Sequence, residues 1–406
     1  MSIPRPAPFN AIGGLNSGLA GTFYTGAYSL LTPNTLASTL IQQNPKRNYV
    51  ATWHLNVQRE VTPNFAFIVG YVGSRGVHQQ FKVDDADMTL PTLTSAGYVF
   101  PYSTTGTPPP TLNPNFSAIR SLWWDGHSSY DGLQVGATKR LSRGFQFQAS
   151  YTWSKTIDDN STGAGADSFN NSFSSLHWYD LRLNKSLADF NTPRVLVASV
   201  TWDLPNPKMS SVVGEKVLGG WEMGAIFTAH DGQPFSELLS GDVLGQNSSD
   251  PFSFSERLTG PGCNTLVNPG NGDNYVKTQC FSVPTAPTQA FYNTYCNPAA
   301  PFPTCTNLLG NARRNILASP GYKNFDFSLY KNTRITERVD TQFRAEFFNV
   351  LNHPNFQGPF DTDTIDQPGA RCYTRLGMPA TFNLRLKSFS RARSKKESGC
   401  PTSLDN

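Results

Sequence analysis

Charge is scarce in this sequence. Lys and Arg (33) with Asp and Glu (29) make only 15% of 406 residues, against about 25% in an average soluble domain. Apolar residues are also few, at 38% where about 45–50% is usual. Long amphipathic helices are built from the missing residue types, so the double deficit excludes a helical bundle or coiled coil. No run of 18 apolar residues occurs, which excludes a transmembrane helix but not a membrane β-barrel, whose strands carry their apolar residues in alternation. The start, Met1-Ser2-Ile3-Pro4-Arg5-Pro6, lacks the basic residues and apolar core of a signal peptide. That leaves a cytoplasmic chain, or one whose true beginning lies upstream.

Signatures of catalysis are missing too. There is no G-x-S-x-G elbow, P-loop or dinucleotide fingerprint. The six histidines, at 54, 78, 127, 177, 230 and 353, show no metal-ligand spacing. A non-enzyme is expected, with no catalytic residue, no cofactor and no metal. The net charge of +4 arises largely from Arg385 to Lys396, with six Lys or Arg and no acid, so no nucleic-acid surface is read from it. The acidic runs Asp84-Asp85-Ala86-Asp87 and Asp361 to Asp366 lack the glycine and closing glutamate of an EF-hand, and are read as solvated loops.

What the sequence has is period-two alternation. From Tyr49 the odd positions read Tyr49, Ala51, Trp53, Leu55, Val57, against Thr52, His54, Asn56, Gln58 and Glu60. Such alternation makes a strand with one apolar and one wet face. The pattern returns over Phe145–Trp153, Val339–Phe347 and Ala380–Lys387, and more weakly over Phe65–Ser74, Asp131–Leu141, Val195–Leu204, Trp221–His230 and Phe325–Asn332. About nine strands result. Tight turns at Thr62-Pro63-Asn64, Ser142-Arg143-Gly144 and Arg334 to Glu337, and a longer one from Pro205 to Gly220, alternate with long connections at about 75–129, 156–190, 231–322 and 350–378. Most connections in compact domains run about 4–6 residues. Short turns on one side and long loops on the other are the plan of an outer-membrane barrel. The first and ninth strands then both run inward, so strands are expected before the first. Trp53, Trp153, Trp202 and Trp221 lie in or at the ends of strands, where barrels place their interfacial girdles. A soluble β-sandwich burying the same faces is the rival, and the asymmetry of loop lengths counts against it.

Several strings resemble a known family. Tyr130-Asp131-Gly132-Leu133-Gln134, Ala149 to Lys155 with Ile157-Asp158-Asp159, Gly310-Asn311 with Arg314-Asn315, and above all Arg344 to Phe356 resemble the C-terminal barrel of Oar-like TonB-dependent transporters. Trp53 to Glu60 followed by Tyr71-Val72-Gly73-Ser74 also fits, and the likeness runs from about Asn48 to Phe389. The resemblance implies an outer-membrane receptor-transporter with a plug inside a barrel of about 22 strands, coupled to TonB. No plug or coupling segment is recognised before Asn48, so the chain is expected to be the C-terminal portion of such a transporter. Three parts follow: 1–47, a remnant of an outer loop; 48–389, an all-β, antiparallel transmembrane β-barrel segment; and 390–406, a basic tail beyond the family's usual aromatic end.

The expected role is uptake of a bulky nutrient such as a siderophore or oligosaccharide; the alternative is a non-transporting surface-binding protein anchored by the barrel. Partners are outer-membrane lipid, a plug-bearing chain and TonB in the complete system, and a small-molecule or oligosaccharide ligand. On the wet faces Gln58, Gln148, Arg344, Glu346 and Arg385 point into the lumen, as a solute path, against a plug, or simply paired with neighbouring strands. Trp123, Trp124, Trp178 and Tyr179, placed in outer loops, are candidates to stack on a sugar or siderophore, or to pack the loops together. Four cysteines share the longest loop and read as two disulfides, most simply Cys263–Cys280 and Cys296–Cys305, though three pairings exist. Their spacings of 17, 16 and 9 residues suit no common zinc finger. Cys372 and Cys400 have no evident partner.

Overall fold

A computed structural model describes residues 36–390 except 84, 104–106, 114–115, 162–176, 208–210, 240, 249–250, 252, 270–274, 337–338, 357–362, 365–374 and 377–380. Cys372, Cys400, the basic tail, Asp84 and most of the second acidic run therefore lie outside the described residues. Nine strands follow one another as neighbours in one antiparallel meander: β1 (Tyr49–Thr62), β2 (Phe65–Val83), β3 (Phe116–Ser142), β4 (Phe145–Asp158), β5 (Arg194–Asp203), β6 (Trp221–His230), β7 (Tyr322–Thr336), β8 (Val339–Phe348) and β9 (Thr381–Ser390). Among the described residues the sheet does not close on itself. No helix among the described residues is long and apolar enough to cross a membrane.

Register turns the alternation of each strand into two continuous faces. Leu55 lies opposite Tyr71, Tyr71 opposite Leu133 and Leu133 opposite Trp153. Nearer the short turns, Phe147 faces Val200, Val200 faces Ala225, Ala225 faces Phe327 and Phe327 faces Phe347. One residue out of step, every position shifts to the other face, so Gln148 meets Thr138 and Ser199. A slip of one residue anywhere would put a polar row on the apolar side.

The apolar face has the dimensions of a lipid-facing band. Trp153 is 60% exposed and Trp202, which pairs with Phe145, is 41% exposed. They mark two levels eight residues apart along β4, about 26 Å at about 3.3 Å per residue. A tilt of about 40° brings this to about 20 Å, close to the band about 25 Å tall that barrels present to lipid. At the lower level Lys331 Nζ sits 5.6 Å from the centre of the Trp221 ring.

The short connections are tight for local reasons. Arg143 and Gly144 both have positive φ, +53° and +75°, as a two-residue hairpin needs to match strand twist. The β5–β6 connection carries a helix, α1 (Val212–Leu218), whose first turn is capped by Ser211 Oγ accepting from Gly214 N. Gly220 ends it at φ +71°, where a Cβ would lie 2.4 Å from the Asn332 carbonyl, so only glycine lets β7 approach.

The opposite end departs from the sequence reading. The connection expected at about 75–129 is shortened to 84–115 by strand at both ends: β2 continues to Val83, β3 begins at Phe116, and Leu36–Ile41 adds a parallel neighbour to the start of β3. Trp123 and Trp124 consequently sit on β3 rather than in a loop. The reason is a break in parity. Register shifts between Val77 and Phe81, with His78 at φ +52°, form bulges that turn Phe81 and Val83 into an outer core with Trp123, Trp178 and Leu181. With both faces covered, simple alternation no longer marks the strand. A second outer core is built from Phe235, Leu238, Phe254, Leu266, Val276 and Phe281, and a third from Val99, Phe291 and Leu308 around a short helix, α2 (Gln289–Tyr295). The long connections thus form a packed cap on one end of the wall.

Candidate functional site

Two surfaces carry the candidate residues. On the polar face of the wall, a groove of about 490 Å³ is lined by Glu222, Ser328, Tyr330, Gln342, Arg344 and Glu346. Arg344 is already engaged there: its Nε donates to Gln342 Oε1 at 2.8 Å, and its guanidinium lies 5.0 Å from the centre of the Tyr330 ring. Glu346 stands opposite Ser328 and Asn383. Gln58 lines a smaller groove, about 230 Å³, with Glu60, Thr138 and Arg140, and Gln148 is exposed on the same face. Arg385 is placed by its backbone alone, opposite Arg344. The five polar candidates therefore share one face but do not converge on a single point.

In the cap three of the four aromatic candidates, Trp123, Trp178 and Tyr179, are brought together by contact with one another, and Trp124 is not among them. The rings of Trp123 and Trp178 stack nearly parallel at 6.2 Å between centres, and Trp178 meets Tyr179 edge-on at 6.2 Å. Trp123 Nε1 donates to Ser121 Oγ at 2.7 Å, and Trp124 N to Gln42 Oε1 at 2.8 Å. Cys263 is joined to Cys280 and Cys296 to Cys305. Asp85 and Asp87, read from sequence as a solvated loop, are instead buried. Asp85 accepts from the backbone of Asp87 and Ile119, and Asp87 from the backbone of Asn113 at 2.6 Å, so both serve to fasten loop backbone whose donors would otherwise be unsatisfied. Among the described residues no group of His, Cys, Asp or Glu is arranged to hold a metal ion.

Within the cap lies a buried ionic cluster. Arg314 is 3% exposed, and its guanidinium donates to Asp158 Oδ1, Asp189 Oδ1, Ser161 Oγ and the carbonyls of Asp158 and Asn184. Asn315 Nδ2 donates to Asp189 Oδ1 at 2.7 Å. Burial pushes the Asp189 carboxyl up to about 6 despite Arg314 beside it. Beside the cluster, His177 is fully buried and its imidazole is held down to about 4 by desolvation, so the ring is neutral at pH 7. Both ends of the ion pair stand in strings that resemble the transporter family, Ile157-Asp158-Asp159 and Arg314-Asn315. Nothing local to either shows that they meet.

A meander with one lipid-facing side, a polar inner side and a packed outer cap defines an outer-membrane β-barrel wall. Residues 4–380 match the family model described as the outer membrane beta barrel domain, and the chain belongs to that family. It resides in the outer membrane. No curated protein matches it. Among solved structures it is similar to the outer membrane transporter YddB from Escherichia coli, at 12% identity and a TM-score of 0.44, over 89% of this chain and 35% of that one. It is also similar to the FrpB iron transporter from Neisseria meningitidis, at 12% identity and a TM-score of 0.37, over 86% of this chain and 33% of that one. The chain spans about a third of the length of these transporters.

Proposed function

We propose that this chain is a wall and outer cap of an Oar-like TonB-dependent transporter, corresponding to the C-terminal portion of such a barrel, and that the complete system imports a bulky nutrient. The observation that carries the reading is the two-faced meander: one apolar face of lipid-band height, one polar face, short turns at one end and a packed cap at the other. In this reading 48–389 is the barrel segment, 1–47 belongs to an outer loop, and 390–406 is a tail. The polar face, with Gln58, Gln148, Arg344, Glu346 and Arg385, borders the lumen and meets a plug-bearing region on this or another chain. The open edge of β1 pairs with further strands, since an unpaired row of backbone groups is not tolerated within lipid.

The reading is tested in cells. The chain is expected to fractionate with outer membrane, to require detergent for extraction, and to support solute uptake that stops when TonB is removed. A water-soluble monomer would contradict it. Uptake or retention that depends on residues 231–320 but not on TonB would favour the surface-binding alternative.

A further inference from the structure

We propose that α1, the helix of the β5–β6 connection, is a membrane-surface anchor. It lies among the phospholipids at the short-turn end of the wall, with Val213, Val217 and Leu218 against acyl chains and Lys216 at headgroup phosphates. The inference goes beyond the transporter reading and rests on it only for which leaflet this is, the inner one. Three large apolar side chains of α1 are left uncovered: Val213 is 71% exposed, Val217 57% and Leu218 51%. At about 100° per residue they fall within an arc of about 140°, and Glu215 and Lys216 stand on the remaining side. A helix with one apolar and one charged side lies in the plane of a membrane surface.

The wall holds the helix on its lipid-facing side. Trp221 and Lys331 lie directly opposite each other and share the parity of Ala225 and Phe327, so both belong to the apolar face. Trp221 Nε1 donates to the Val217 carbonyl at 3.1 Å, and Lys331 Nζ donates to the carbonyls of Lys216, at 2.7 Å, and of Gly219. The last carbonyls of a helix have no partner within it. Two side chains rooted in the lipid-facing surface therefore fix the C-terminal end of α1 at that surface.

Phospholipid is the occupant that the surroundings fit. Trp202 pairs in register with Met223, two residues from Trp221 on the same face, so the apolar side of α1 adjoins the band already assigned to lipid. Trp rings and the ends of long basic side chains collect at the headgroup level. The charge agrees with phosphate. Arg59, Lys139 and Lys331 stand at the short-turn end of the apolar face, and among the described strand residues no Asp or Glu shares that end of the face. A cationic rim is attracted to anionic headgroups. In water the seven residues of α1 would be too few to hold a helix by themselves, whereas burial of the apolar arc among acyl chains adds the packing that the wall does not provide.

The test is spin-label accessibility of the full chain in outer-membrane vesicles, with Val213→Cys, Glu215→Cys, Lys216→Cys, Val217→Cys and Leu218→Cys introduced one at a time and Cys372 and Cys400 replaced by serine. All five positions are exposed, so the substitutions leave the packed parts of the chain untouched. Labels at 213, 217 and 218 should be relaxed by lipid-dissolved oxygen, and those at 215 and 216 by a water-soluble nickel complex. The proposal is overturned if the nickel complex reaches all five alike, which places the helix in water, or if labels at 213, 217 and 218 are shielded from both agents, which means that a protein covers them. Labels from 145 to 153 on β4 in the same vesicles separate this failure from that of the wall. Alternation on β4 with none on α1 sinks this inference alone, and loss of alternation on both sinks the membrane wall with it. Uptake that proves independent of TonB, with the expected pattern on α1, would sink the transporter reading and leave the anchor standing.

Discussion

Arg314 Nη1 donates to Asp189 Oδ1 at 3.1 Å, joining residues 125 apart in sequence, and both side chains are buried. With Asp158 on its other nitrogen, Arg314 ties the β4–β5 connection to the far end of the β6–β7 connection. The cap is thereby fastened to the wall, since Asp158 is the last residue of β4.

Removing Arg314 leaves two buried carboxylates facing each other without their cation. Breaking a buried pair in this way costs about 3–5 kcal/mol. Arg314→Leu should therefore open the cap to limited proteolysis while the wall remains resistant in detergent. Equal loss of protection in cap and wall would show that the two do not behave as separate units.

Asp189 and His177 impose opposite pH dependences in the same window. The Asp189 carboxyl is raised to about 6 in the folded cap, so its contribution is fully present below the unfolded value of about 3.9 and is lost as pH rises through about 6. His177 is lowered to about 4, so its contribution is present above about 6.5 and is lost as pH falls toward about 4. Each amounts to about 3 kcal/mol over the window, and in the parent they largely offset. Relative to the parent, Asp189→Asn should make cap stability fall more steeply on acidification from pH 6.5 to 4, and His177→Asn should make it fall less or rise. Thermal cleavage midpoints across that range measure both, and matching slopes in the two variants would contradict the assignment.

The disulfides close loops of 17 and 9 residues. The chain-entropy relation gives about 3 and about 2.5 kcal/mol for them. Replacing both cysteines of either pair by serine should lower cap stability by these amounts and leave extraction from the membrane unchanged, as read by protease resistance of residues 231–320. No change in either double variant would mean that the cores around Phe281 and Phe291 hold the loop without them.

The fold was legible in the sequence wherever one face of a strand meets lipid and the other does not. Phe145 to Trp153 alternates because Phe147 and Gln148 have different neighbours, and nine such stretches gave the strands of the wall in order. Legibility fails above the band. Phe81 and Val83 lie past a bulge in a two-sided core, so the strand carrying Trp123 and Trp124 reads as loop. Arg314 was visible only as part of a familiar string, because a buried ion pair between distant loops leaves no spacing to read.

The central claim, that the odd positions of β4 face lipid and the even ones a polar lumen, predicts very different costs for neighbouring substitutions. Ala149→Arg places a charge in the band, at about 2–4 kcal/mol, and should reduce outer-membrane insertion, whereas Gln148→Arg should leave it near the parental level. The most direct measurement is spin-label accessibility in outer-membrane vesicles at each position from 145 to 153, introduced one at a time as cysteine with Cys372 and Cys400 replaced by serine. Labels at Phe147→Cys, Ala149→Cys and Tyr151→Cys should be relaxed by lipid-dissolved oxygen, and those at Gln146→Cys, Gln148→Cys and Ser150→Cys by a water-soluble nickel complex. Equal access of the nickel complex to both sets would contradict the account.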